Sequence, residues 1–298
     1  MKTVALIVTY NRLDKLKLCW AATAQQSFDS IVIVNNASTD DTKGWLDTLN
    51  DPRLHLLHLK INSGGAGGFK QGAFYISEHI ESDWVFIYDD DAYPQNNVVE
   101  AFVKNADLQN YGAFSCKVLD AEGMTCKMNL PWTKFPNTFQ ENISYLKDPT
   151  TFSASGLKSE DIISLSFVGA IVRSDVLYKT FNFIYDELFI YFDDIYFSHH
   201  LSLNSVRMSF LPDVFFTHDI LQIPGPIKPV WKIYYLVRNM LLAKKYFGKD
   251  SPFSNWFILL RIVKYTLLVV KQAEALKYIK YFLTALWDGI NSNVGKRH

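Results

Sequence analysis

Three adjacent carboxylates, Asp89, Asp90 and Asp91, follow the apolar run Trp84-Val85-Phe86-Ile87-Tyr88. A short run with β-branched and aromatic members reads as a buried strand, so the acids lie at its C-terminal end. Ligands of open α/β sheets gather at that edge. Neighbouring carboxylates repel one another unless a cation lies among them. In extended backbone, residues i and i+2 share a side. Asp89 and Asp91 can therefore share one hard divalent ion while Asp90 faces elsewhere. Mg²⁺ usually takes one or two carboxylates plus substrate phosphates. The competing reading is a solvated acidic turn before Pro94.

A second pair, Asp193-Asp194, is set among Phe189, Tyr191, Phe192, Tyr196 and Phe197. Aromatic neighbours desolvate a carboxylate and raise its proton affinity, as a general base working near neutral pH requires. On a helix the two would point about 100° apart, so one of them faces a site. Acids at the positive end of a helix are the alternative. His218 follows the apolar run Val214-Phe215-Phe216 and can give an imidazole to a metal. A structural histidine is the plainer reading.

The elements that must position these groups alternate. Thr3–Thr9 is predicted as a buried strand, with Leu13, Leu16, Cys19 and Trp20 at helical spacing after it. Residues 30–34 form a second strand, ending in the polar loop 35–40. Asp40 or Ser38 can cap a helix holding Trp45, Leu46 and Leu49. Residues 54–59 form a third strand. The glycine-rich loop Gly64 to Gly68 then opens a helix over about 70–79. Its N–H groups can face a phosphate or sugar hydroxyls, or its glycines can permit close strand–helix packing. It matches neither dinucleotide nor P-loop spacing. Residues 112–119 and 163–173 read as further strands, and 124–161 as an irregular insert or flap. Alternating strand and helix predicts an α/β protein with a mostly parallel sheet and helices on both faces.

At 298 residues, 49% hydrophobic and 20% charged, the chain can bury a large core. Three scattered cysteines with no CxxC point to a reducing compartment and no zinc site. No uncharged apolar run reaches the roughly 18 residues of a spanning helix, and residues 1–10 are strand-like, which predicts a cytoplasmic protein. The net charge of zero conceals a split. Residues 228–298 carry 13 Lys and Arg against three Asp and Glu, leaving an acidic body before them. Two parts are expected, 1–222 catalytic and 223–298 basic and helical. Trp256, Leu259, Val263 and Leu267 make an apolar face with Arg261, Lys264 and Lys271 nearby, the pattern of a helix lying on an anionic membrane. Packing on the catalytic part, or a homodimer seam, is the alternative. The cations alternate with the apolar face and form no polar stripe, which argues against nucleic acid.

Taken in order, these segments resemble glycosyltransferase family 2, with its GT-A fold. Val8-Thr9-Tyr10-Asn11-Arg12 is similar to the opening motif whose loop holds the nucleotide base. Val34-Asn35-Asn36-Ala37-Ser38-Thr39-Asp40 resembles "DNGSTD", with Asn35 in place of the first acid. Asp89-Asp90-Asp91 resembles the DXD metal motif, Phe192-Asp193-Asp194 the acceptor-side acids, and His218 the late metal-binding histidine. The resemblance implies a nucleotide site of Thr9, Tyr10, Arg12, Asn35, Asn36 and Asp90. It implies Mg²⁺ or Mn²⁺ at Asp89, Asp91 and His218, Asp194 as the base, and Asp193 orienting acceptor hydroxyls.

A finer resemblance is to bacterial galactofuranosyltransferases and rhamnosyltransferases. Asn62 with Gly64-Gly65-Ala66-Gly67-Gly68-Phe69 is similar to "NxGGAGGF", which assigns Asn62, Gly64, Gly65, Gly67 and Gly68 to the donor loop. Asp89-Asp90-Asp91-Ala92 is similar to the galactofuranosyl "DDDA", and Tyr234-Tyr235-Leu236-Val237-Arg238-Asn239 to "YYxxRN". This implies inverting transfer of galactofuranose from UDP-galactofuranose to a hydroxyl of a growing bacterial surface glycan, commonly lipid-linked, at the inner face of the plasma membrane. A TDP-rhamnose donor and a non-catalytic nucleotide-sugar binding protein are the alternatives. A nucleotidyltransferase would carry a basic glycine-rich triphosphate loop, which Thr9 to Arg12 lacks. Trp132 and Trp84 are candidates to stack on a sugar, with core packing the better reading for Trp84.

Overall fold

The computed structural model describes residues 1–220 and 225–298. The expected boundary at 222 and 223 falls outside those residues. The first half alternates as expected: β1 (Thr3–Thr9), α1 (Leu13–Ala24), β2 (Ser30–Asn35), α2 (Thr42–Leu46), β3 (Leu54–His58), α3 (Gly64–His79) and β4 (Trp84–Asp89). There follow β5 (Ala92–Pro94), α4 (Val98–Asn105), β6 (Ala113–Leu119), α5 (Phe139–Lys147), β7 (Asp161–Ile162), β8 (Ala170–Arg173), α6 (Ser174–Thr180), α7 (Asp193–Leu203) and β9 (Met208–His218). Three helices complete the chain, α8 (Lys232–Phe247), α9 (Asn255–Leu267) and α10 (Ala275–Ile290).

All the strands join one sheet in the order β3-β2-β1-β4-β8-β6-β9-β5, with β7 against β9. β3, β2, β1 and β4 run parallel, as do β6 and β9; β8 and β5 pair antiparallel. The central strands are buried on both faces, which their unbroken Val, Ile and Leu runs require. One apolar cluster packs α3 and α6 on one face, and another packs α1 and α4 on the opposite face. Trp84 is buried among Phe102 and Phe114 and serves the core.

Four expectations are corrected. Helix α3 starts at Gly64, so the glycine-rich segment is helical. A side chain at Gly68 would lie 2.4 Å from Val8 Cγ1 and one at Gly72 2.3 Å from Leu6 Cδ1. These glycines let the helix settle directly on β1. The strand expected over 163–173 is confined to β8, because Gly169 at φ +84° breaks the extended run. Residues 124–161 hold α5, closed by a Thr138–Glu141 capping box; their periodicity is weak because Asn142 alone of the helix is buried. Trp132 is wedged between α5 and α9, stacked 4.9 Å from Tyr145 and edge-on to Phe257, so it is a packing residue.

The basic segment is also not a free tail. Leu188 and Tyr196 share a core with Met240, Leu242 and Phe257, and Phe189 shares one with Tyr234, Tyr235 and Phe282. The outward faces of α9 and α10 nonetheless remain apolar: Trp256, Leu267, Leu276, Leu283, Trp287 and Ile290 are exposed. Among the described residues, no helix is long and apolar enough to cross a membrane.

Candidate active site

Sheet pairing gathers the acids. Val8 of β1 lies opposite Asp89 of β4, which sets the loop after β1 beside the acidic turn. β5 returns antiparallel to β9 with Ala92 opposite His218, and the Asp219 amide donates to the Asp91 carbonyl at 2.7 Å. His218 Nε2 thereby comes 3.5 Å from Asp91 Oδ1. The other ring nitrogen, Nδ1, lies 3.0 Å from Asn129 Oδ1, and the Asn129 amide in turn donates to Ser166 Oγ at 2.9 Å. An amide oxygen only accepts, so Nδ1 carries the proton. Nε2 and the Asp91 oxygen then face each other with a proton or a cation required between them.

Arg12 is the counter-charge. Its Nη1 donates to Asp91 Oδ2 at 2.5 Å and to Asp90 Oδ1 at 3.3 Å. Asp90 also accepts from Thr9 Oγ1 at 2.7 Å and from the Tyr10 amide at 3.4 Å. Asp90 is thus the anchor of the first loop; because β4 ends at Asp89, Asp90 and Asp91 lie in a turn and share Arg12, and the alternation expected of extended backbone does not extend to them. Burial pushes the Asp90 carboxyl up to about 6, against the pull of Arg12 and Thr9. Burial also drives Asp89 well above the ordinary range, and the charges of Asp91, Asp90 and Asp193 push the same way. For Asp91 the burial penalty is outweighed by its bond to His218 and by Arg12, and it stays below the usual value. At the head of α8, burial and the charge of Arg12 lower the proton affinity of Lys232, and Asp91 opposes them.

The polar loops are braced more than they are open. Asn35 Oδ1 accepts from the Ser38 amide at 3.0 Å, and its amide lies 3.1 Å from His58 Nδ1. Asn36 donates to the Gly64 carbonyl at 2.8 Å and to Asn62 Oδ1 at 3.2 Å, while its own oxygen accepts from the Ser63 amide at 3.0 Å. Asn62 caps the Gly64 N–H at 2.8 Å, and Ala66 N–H goes to the Phe189 carbonyl at 3.3 Å. Gly64, at φ +74°, is pressed so close to that carbonyl that a Cβ would lie 1.9 Å from it. Gly67 is filled by Ser63 and Gly68 by Val8, whereas Gly65 opens on free space. These glycines therefore act first as packing devices, and part of the expected phosphate cradle has its N–H groups already engaged.

Asp193 and Asp194 begin α7, Asp193 buried and Asp194 half-buried. Burial raises Asp193 to about 8, with Asp194 adding repulsion; burial raises Asp194 to about 6, offset by the Ile195 and Phe167 amides. The Ile195 amide donates to Asp194 Oδ1 at 2.7 Å. A coupled pair titrates as a unit, and near neutrality this one keeps a proton on Asp193 and a charge on Asp194. The Phe167 amide meets Asp194, and Ser166 beside it accepts from Asn129, which holds His218 opposite Asp91, so residues 166 and 167 tie the two acidic groups together.

The backbone before α7 is strained. Phe189, Tyr191 and Phe192 have φ of 70°, 66° and 70°, a region that costs a non-glycine residue about 1–3 kcal/mol. Sequence reasoning assigned no role to Asn129 or Lys232 and attached none to Arg238 and Asn239. Asn129 sits in the stretch taken as irregular. The "YYxxRN" pattern was a signal, but its spacing alone does not say what Arg238 and Asn239 hold.

For a metal, Asp91 and His218 offer one hard oxygen and one imidazole nitrogen facing each other, and Asp89, expected as a third ligand, is not gathered with them into one group. This suits an ion that takes one or two carboxylates and fills its shell from substrate phosphates. Among the described residues, no three His, Cys, Asp or Glu side chains form a ready-made cage.

A mostly parallel sheet with acids at its carboxyl edge, a second acidic pair across the cleft and a helical C-terminal region define a glycosyltransferase of GT-A fold. The chain belongs to glycosyl transferase family 2, whose sequence profile matches residues 4–179. It is 23% identical to the dTDP-rhamnosyl transferase RfbF of Shigella flexneri across 98% of this chain and 96% of that protein. It is 24% identical to galactofuranosyltransferase GlfT1 of Mycolicibacterium smegmatis across 58% of this chain and 56% of that one. Among solved structures it is similar to S. aureus TarS 1–349 in complex with UDP, with a TM-score of 0.59 at 18% identity, covering 99% of this chain and 83% of that one.

The Asp193 environment sets a pH-dependent stability. Its carboxyl has an ordinary value of 3.8 and is raised to about 8 by burial. Between those values the native state binds more protons than the unfolded chain, so this group costs stability as pH rises across the window. Asp193→Asn removes the cost. Its melting temperature should match the wild type near pH 4 and gain on it progressively towards pH 8. A difference that stays constant across that range counts against a buried ionisable Asp193.

Proposed function

We infer that this protein transfers a sugar from a nucleotide diphosphate donor to a glycan hydroxyl in one inverting displacement. The observation that supports this reading is the link between the two acidic groups: the Phe167 amide meets Asp194, and Ser166 beside it holds Asn129 against His218, which faces Asp91. Asp194, ionised above about pH 6, takes the proton of the acceptor hydroxyl. That oxygen bonds to the anomeric carbon as the bond to the diphosphate breaks, and the electron pair leaves with the nucleotide. Protonated Asp193 is placed to orient acceptor hydroxyls. Arg12 and Lys232 bring positive charge to the departing diphosphate. Asp91 and His218, with Asp89 beside them, would hold Mg²⁺ or Mn²⁺, which supplies Lewis-acid neutralisation of the leaving group. Thr9, Tyr10 and the loop of Asn35 and Asn36 are the nucleotide side.

The donor proposed is UDP-galactofuranose, on the Asn62–Phe69 and Asp89–Ala92 segments. A TarS structure holding UDP supports a uridine nucleotide. The end-to-end match to a dTDP-rhamnosyl transferase favours TDP-rhamnose as the second reading. Transfer or hydrolysis of UDP-galactofuranose, UDP-galactopyranose, UDP-glucose and TDP-rhamnose separates them. The acceptor proposed is a lipid-linked glycan. The exposed apolar faces of α9 and α10, edged by Lys264, Lys271 and Lys280, complement an anionic lipid surface.

Three outcomes are expected. Asp194→Asn should lose about 10²–10⁴-fold in turnover, the usual general-base contribution, while UDP binding persists; full turnover ends the assignment. EDTA should abolish transfer and added Mn²⁺ or Mg²⁺ restore it, and activity indifferent to chelator removes the metal. The protein should co-sediment with liposomes containing anionic lipid at low salt and not with neutral ones. Failure to bind, together with self-association by light scattering, would assign the exposed faces to a second copy.

A further inference from the structure

Arg238 is the largest wholly buried side chain, and Asn239 beside it is equally sealed. The partners of Arg238 are neutral oxygens. Its Nη2 donates to the carbonyls of Leu188 at 2.9 Å and Glu187 at 3.2 Å, its Nη1 to the Gly295 carbonyl and to Tyr234 Oη, and its Nε to Asn239 Oδ1 at 2.8 Å. The guanidinium lies 5.0 Å from the ring centres of both Tyr234 and Tyr235. Asn239 Nδ2 reaches the carbonyls of Leu188 at 3.1 Å, Ile190 at 2.7 Å and Tyr191 at 3.0 Å. Two adjacent side chains of α8 thus gather the backbone carbonyls of four residues between 187 and 191.

That segment is the one whose backbone is least able to hold its own shape. Phe189, Tyr191 and Phe192 are all left-handed, a conformation bulky residues keep only when surroundings enforce it. It ends at Asp193, the first residue of α7. Its Phe189 carbonyl meets Gly64 and accepts from Ala66, so the same segment touches the donor loop. Aligned carbonyls also repel one another without donors, and Arg238 and Asn239 supply those donors.

The geometry points to Arg238 and Asn239 as positioning residues for the transfer reaction: they lock the 187–192 backbone and so aim Asp193 and Asp194 at the cleft. Neither touches substrate; both act through the segment they hold. The inference rests on the reading of Asp194 as base.

The test is Asn239→Asp, which keeps the shape and replaces the donor by an acceptor facing three carbonyls, with Asn239→Ser, which retains one donor, as the milder variant. Saturating-donor turnover, normalised to the UDP-binding sites counted by calorimetry, should fall about 10²-fold for Asp, as a misplaced catalytic group costs, with Ser between it and the wild type. The UDP dissociation constant should stay within about twofold, because the nucleotide side is built on β1 and β4. A role in stability alone lowers the number of UDP-binding sites and leaves turnover per site unchanged, and that result overturns the inference. A loss of UDP affinity equal to the loss of kcat/KM also overturns it. Should Asn239→Asp not fold, the Ser variant decides. Asp194→Asn run alongside separates the two readings. Wild-type turnover there sinks the base assignment. A full-speed Asn239→Ser beside an impaired Asp194→Asn sinks only this inference.

Discussion

Asp89, Asp90 and Asp91 are adjacent carboxylates in a largely buried turn, and the charges of Asp91 and Asp90 add to burial in raising Asp89. A cluster of this kind folds only where counter-charge and donors are brought to it. Arg12 bridges Asp90 and Asp91, Thr9 and the Tyr10 amide engage Asp90, and His218 faces Asp91 under the guidance of Asn129. These groups come from three segments, the loop of Thr9, Tyr10 and Arg12, the end of β9 and the turn holding Asn129, so the electrostatic demand of one turn ties down three others.

The acids divide according to what surrounds them. Asp91 has charged and hydrogen-bonding partners enough to outweigh its burial and stays ionised. Asp193 has burial and a like-charged neighbour, and it holds its proton. Asp194, supported by backbone amides at the start of α7, lies between them. Carboxylates of one chemical type are thus set apart in proton affinity by their neighbours alone.

The basic C-terminal region reads in the sequence as an appendage, yet α8 is a wall of the site. Its middle, Arg238 and Asn239, grips the backbone before α7. The outer faces of α9 and α10 keep the amphipathic character that the sequence predicts. One helix layer therefore serves the chemistry on its inner side and stays free for association on its outer side.

Much of the fold was legible because the evidence for it is local. β1 and β2 were legible as β-branched runs, β4 as an aromatic and β-branched run and β3 and β6 as short apolar segments, and the acidic turn, the acids of α7 and His218 were legible from residue type and from the strand or helix each adjoins. The start of α3 was misplaced because glycine signals a loop, whereas here it answers a contact with Val8 and Leu6 that lies outside the segment. β8 was overextended because hydrophobicity does not show the φ at Gly169. Which acids meet could be decided only in three dimensions. β5 folding back on β9 brings His218 to Asp91, and carbonyls held by α8 fix the backbone that leads into Asp193. Sequence by itself determined which residues are able to hold a proton, a cation or a sheet. Tertiary structure decided which of them face one another, since register and left-handed backbone are set by contacts between segments that no local pattern encodes.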